Sequence, residues 1–85
     1  MNDNKVLVEL IVPSIDMTYN VFFPINRRIG NVIGLLNKSL TEITNGLYLG
    51  NEFNELYDSS TGSVYNINSL VRETNIRNGS VVILL

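Results

Sequence analysis

Ile29, Val32, Ile33, Leu36, Leu40 and Ile43 recur at steps of three and four, a spacing that gathers them on one side of a helix. This stripe constrains the fold more than any other feature, because a row of six aliphatic side chains must be buried against something. Asn26 stands where an N-cap is expected, and Asn45-Gly46 is a stop signal at the other end, which places the helix near residues 27 to 44.

The flanking segments follow strand chemistry. Lys5 to Val12 is a run of Val, Leu and Ile broken only by Lys5 and Glu9. Those two polar residues share one parity, so Val6, Val8 and Leu10 take the other and are expected to face the core. Pro13 to Asp16 is a turn signal, and Thr18 to Phe23 alternates as a second strand with Tyr19, Val21 and Phe23 inward, closed by Pro24. The two strands form an antiparallel hairpin. After the helix, Leu47 to Asn54 is irregular. Glu55 to Asp58 and Ser63 to Asn66 read as short strands across a loop containing Gly62. Asn68-Ser69 caps a short turn over Leu70 to Glu73, Asn78-Gly79 turns again, and Ser80 to Leu85 is an uninterrupted apolar last strand. The expectation is an α+β fold in which a mixed four- to five-stranded sheet is crossed by one helix, with the first and last strands side by side: a β-grasp. Its 85 residues suit one domain spanning 1–85.

Composition narrows the function. The absence of Cys and His removes disulfides, thiolate sites, the commonest general base and the commonest metal ligand. Six basic against eight acidic residues give a formal charge of −2, and Arg27-Arg28 is the only basic cluster, so nucleic acid is not an expected partner. No window reaches the ~20 apolar residues of a membrane span. Met1 to Lys5 is polar and leads directly into a strand, unlike a secretory leader, so the cytoplasm is the expected location. The acids Asp3, Glu9, Asp16, Glu42, Glu52, Glu55, Asp58 and Glu73 are scattered over different elements, and none pairs with another at a spacing that suggests shared protons. A catalytic site, a cofactor and a metal are therefore not expected. Asp58 to Gly62 faintly resembles a calcium loop but lacks its glycine at the sixth position and its glutamate at the twelfth, and a hairpin turn accounts for it.

Leu70, Asn75, Ile76, Asn78-Gly79, Val82 and Leu84 resemble the closing segment of ubiquitin-like proteins, and Ile29-Gly30-Asn31-Val32 resembles the first helical turn of that fold. The segments Ile29 to Leu36 and Ile76 to Leu85 are similar to those of the small YukD/EsaB-type ubiquitin-like proteins of bacterial type VII (WXG100) secretion. Conjugated ubiquitin-like proteins and sulfur carriers end in a flexible Gly-Gly tail, whereas this sequence closes on Leu84-Leu85. The resemblance therefore implies an accessory or regulatory module of a secretion apparatus rather than a conjugated modifier. It also implies a protein partner, such as a membrane subunit or the secretion ATPase. A small structural subunit of a multicomponent enzyme such as an oxygenase is the alternative.

If Val82 and Leu84 face the core, then Val81, Ile83 and Leu85 face out, together with Leu7 and Ile11 from the first strand and Phe22 from the second. Those side chains are expected to form one continuous apolar patch, and contiguous exposed patches mark interfaces. The expected protein-binding residues are Phe22, Val81, Ile83 and Leu85, with Leu7 in support, and the same face offers a route to homo-oligomers. Gly30 and Gly34 share a helix face with Asn37 and Thr41. Either a partner backbone approaches there, or the Leu47–Asn54 loop packs over them. Arg27-Arg28 opposes the helix dipole and is either solvated or directed at an acidic partner.

Overall fold

The computed structural model describes residues 4–85, so the part of the polar N-terminus formed by residues 1–3, Asp3 included, lies outside the described residues. Strand β1 (Lys5–Val12) pairs antiparallel with β2 (Met17–Pro24) through a 3-10 turn at Pro13–Ile15. Helix α1 (Ile29–Ile43) follows, then the short β3 (Leu56–Asp58), a 3-10 turn at Val71–Glu73, and β4 (Val81–Leu84). The sheet order is β2-β1-β4-β3. β1 and β4 run parallel at its centre, with Leu10 beside Val82 and Ile11 beside Ile83, and β3 is antiparallel to β4. This is the β-grasp arrangement.

The parities read from the sequence hold. Val8, Leu10 and Val12 from β1, Phe23 from β2, Leu56 from β3 and Val82 and Leu84 from β4 are buried in one cluster with Ile29, Val32, Ile33, Leu36 and Leu40 from α1. Tyr19 and Val21 pack against it, half-buried. Ile43 departs from expectation: as the last residue of α1 it is exposed and lines an open groove against β2.

The expected fifth strand at Ser63–Asn66 is not formed. Only one bridge, Val64 to Tyr57, remains. The segment that follows instead packs against the start of α1. Carbonyls of Ser69 and Ile67 accept from the N–H groups of Ile29 and Gly30 at 2.9 and 3.0 Å. Those bonds satisfy helix-terminal donors that a side-chain cap would otherwise serve. Hence Asn26 is not the N-cap. Arg28 occupies that position with no side-chain cap bond, and its guanidinium donates to the Asn68 carbonyl. The 3-10 turn at Val71–Glu73 is closed by Glu73, whose carboxylate accepts from the Leu70 N–H at 2.7 Å, and not by Asn68-Ser69.

At the other end of α1, Asn45 takes the left-handed conformation at φ 52°, and Gly46 follows at φ 83°. The N–H groups of Asn45 and Gly46 donate to the carbonyls of Glu42 and Thr41, the double closure of a Schellman motif.

The two helical glycines separate. A Cβ on Gly30 would stand 3.3 Å from the Ile67 carbonyl oxygen, so the close approach there is made within the chain. Gly34 has nothing within 4 Å of where a Cβ would sit. The Leu47–Asn54 loop packs further along the same face. Tyr48 is buried, its hydroxyl donates to Asn37, and its carbonyl accepts from the Thr41 hydroxyl at 3.1 Å. Gly50 crosses so near Asn37 that any Cβ would overlap it. Gly34→Ala is therefore expected to stabilise the fold by about 1 kcal/mol, the helix-interior difference between the two residues. A raised midpoint in urea unfolding checks it, and Gly30→Ala should not share the gain.

Candidate interaction surface

The face of the sheet opposite α1 is assembled by strand register. From edge to edge, one row runs Thr18, Ile11, Ile83, Tyr57; the next runs Asn20, Glu9, Val81; the third holds Phe22 beside Leu7. Leu85 lies one step beyond Ile83 on the same side, its backbone paired with Glu55 through bonds of 2.7 and 3.0 Å. Phe22 is 54% exposed, Leu85 55% and Leu7 39%, while Val81, Ile83 and Ile11 are half-buried by their neighbours.

All the residues expected on this face point to it, with one charged residue set among them. Glu9 stands at its centre, between Leu7 and Ile11 along β1 and between Asn20 and Val81 across it. Along β1 it separates Leu7 from Ile11. The glutamate is exposed; its backbone N–H donates to the Ser80 carbonyl at 2.9 Å, while its carboxylate has no hydrogen-bond or ion-pair partner among the described residues. Lys5, at one corner, lies over the Phe22 ring with its ammonium 4.3 Å from the centroid.

Tyr57 was not anticipated on this face. The β3–β4 register sets it beside Ile83, and its hydroxyl donates to the Glu55 carboxylate at 3.2 Å. That hydrogen bond raises the phenol pKa above its ordinary value. The alternation Leu56-Tyr57-Asp58 carries the signal, but only with the strand partner known.

At the far edge, Asp58 is buried and serves its turn. One carboxylate oxygen accepts from the backbone N–H and the hydroxyl of Ser60, at 2.9 and 2.7 Å. The other accepts from the Asn75 amide at 2.8 Å, and Asn75 in turn accepts from the Tyr65 hydroxyl at 2.7 Å. Protein donors thus occupy both oxygens, and the faint calcium-loop pattern resolves into a hydrogen-bonded turn. The Asn75 and Ser60 donors hold the Asp58 pKa below the usual carboxylate value of 3.8. A depressed folded-state pKa contributes stability that is complete above the unfolded value and disappears as pH falls through the folded one. Acidification below about pH 4 is therefore expected to destabilise the wild type more steeply than Asp58→Asn, measured as urea midpoints from pH 7 down to pH 2.

Two further apolar features lie away from the sheet face, and the sequence analysis identified neither. Leu47, Leu49 and Phe53 are exposed on the loop after α1. A groove of about 280 Å³ runs between β2 and α1, lined by Tyr19, Val21, Leu35, Leu36, Ser39 and Ile43 among others. Among the described residues there is no helix long and apolar enough to cross a membrane, and no group of three His, Cys, Asp or Glu side chains placed to hold a metal.

No protein-family model matches the chain, and no curated protein matches it. Solved structures do. The likeness covers 96% of this chain and 21% of a chain in the ESX-5 inner membrane complex in a MycP5-free state, at TM-score 0.79 and 12% identity, so the chain spans about a fifth of that protein's length. It covers 95% of this chain and 92% of the EccD5 ubiquitin-like domain from Mycobacterium xenopi, at TM-score 0.77 and 17% identity. It also covers 94% of this chain and 95% of a chain in a toluene 4-monooxygenase complex, at TM-score 0.74 and 11% identity. The fold is that of a ubiquitin-like domain. Structures that share it include domains of mycobacterial type VII secretion components.

Proposed function

We propose that this chain is a non-catalytic protein-docking module, an accessory or regulatory component of a type VII secretion apparatus on its cytoplasmic side. The observation that carries the proposal is the outer sheet face. Phe22, Leu7, Val81, Ile83 and Leu85 are displayed there, Phe22, Leu7 and Leu85 exposed and Val81 and Ile83 half-buried, on or beside strands whose backbone is fixed by the ladder. Leaving apolar area in water forgoes about 25 cal/mol per Å², and a partner would recover it. The similarity to ubiquitin-like domains of EccD proteins supports the secretion setting, with a membrane subunit or the ATPase as partner. Acid–base and nucleophilic chemistry is disfavoured by a sequence without His or Cys whose acids are scattered.

A second reading, a small subunit that shapes an oxygenase, is favoured by the likeness to nearly the whole of a toluene 4-monooxygenase complex chain. Affinity purification of the tagged chain from its native cells separates the two. Recovery of a secretion membrane subunit or ATPase supports the first, and recovery of a metal-containing hydroxylase overturns it in favour of the second.

A further inference from the structure

We infer that the partner presents a single Lys or Arg, set among apolar residues, to Glu9 at the centre of the sheet face. The inference rests on the docking reading above and deepens it. A surface that covers Phe22, Leu7, Val81 and Ile83 also covers Glu9, because the register places Glu9 between them. A carboxylate removed from water without a partner is heavily penalised, and this one has no hydrogen bond or ion pair within the described chain to compensate it. Its neighbours Leu7, Ile11 and Val81 carry no donor, Asn20 across from it on β2 offers an amide but no charge, and Lys5 lies four residues away along β1 and over Phe22. The compensating charge therefore comes from the other side of the interface.

The same geometry argues against self-association centred on this face. A two-fold contact is self-complementary, so it would bring the two Glu9 carboxylates against each other. A heterologous partner with a cation removes that repulsion and uses the charge for register and selectivity.

The test selects a display library of random twelve-residue peptides on the whole wild-type chain, with parallel selections on Ile83→Asp and on Glu9→Arg. The expected pool for wild type is enriched in one Lys or Arg flanked by apolar residues and fails to bind Ile83→Asp. It should also bind Glu9→Gln about tenfold or more weakly. The Glu9→Arg pool should exchange the basic residue for Asp or Glu. A wild-type pool that depends on Ile83 but has no basic enrichment, or binds Glu9→Gln equally well, overturns the inference and leaves the docking face standing. A pool indifferent to Ile83→Asp, or no pool at all, overturns the docking face itself. Equal unfolding midpoints for Glu9→Gln and wild type establish that lost binding is not lost folding.

Discussion

Leu10→Ala is expected to cost about 3 kcal/mol of folding stability, within the 2–5 kcal/mol range of buried Leu truncations. Leu10 is fully buried on the central strand, with Tyr19 on one side and Val82 on the other. Its removal opens a cavity where β2, β4 and α1 meet, and strands locked in a ladder cannot close it. A domain of this size has roughly 4–13 kcal/mol in total at ordinary stability per residue, so one substitution removes a large share. Leu7→Ala, on the same strand but facing out, should cost less than about 1 kcal/mol. Urea unfolding of both variants at an unchanged slope checks the parity of β1. A larger loss for Leu7→Ala would mean that the faces are reversed.

Ile83→Asp is expected to leave the fold in place and abolish docking. Ile83 is half-buried, flanked by Ile11 and Tyr57 on the outer face. The folding cost is the poor strand propensity of Asp plus a modest loss of burial, together about 1–2 kcal/mol. A charge inserted into the apolar part of an interface removes at least about 2 kcal/mol of binding, or roughly thirtyfold. Val82→Asp, one residue away and fully buried, should unfold the chain. Circular dichroism and partner retention, measured on both variants, separate the two outcomes. Unfolding by Ile83→Asp would contradict the assignment of the outer face.

The elements defined by local pattern were legible in the sequence. β1 matches at both ends because alternation and β-branched content agree there, and five of the six stripe residues of α1 are buried because helical periodicity reports the covered side directly. Features set by tertiary partners were not. Asn26 has the chemistry of a cap, but the carbonyls of Ile67 and Ser69 reach the helix first. Ser63–Asn66 has strand-like residues but only Tyr57 to bridge to, so no ladder grows. Asn78-Gly79 reads as a turn from the sequence, but that the side-chain oxygen of Asn78 accepts from the Leu7 N–H at 2.8 Å depends on β1 lying alongside. For the candidate face, the inward and outward parities came from the sequence. The outward parity that Glu9 shares with Leu7 and Ile11 was legible as well, but its place between Asn20 and Val81 required the register of β1 against both neighbours.

The most direct test of the docking face is photo-crosslinking in the native cells, with a photoreactive residue at position 22 or 81 on the sheet and at position 38 on the exposed side of α1. The account predicts that positions 22 and 81 give the same covalent partner and that position 38 gives none. Adducts from position 38 alone, with none from the sheet face, would contradict it.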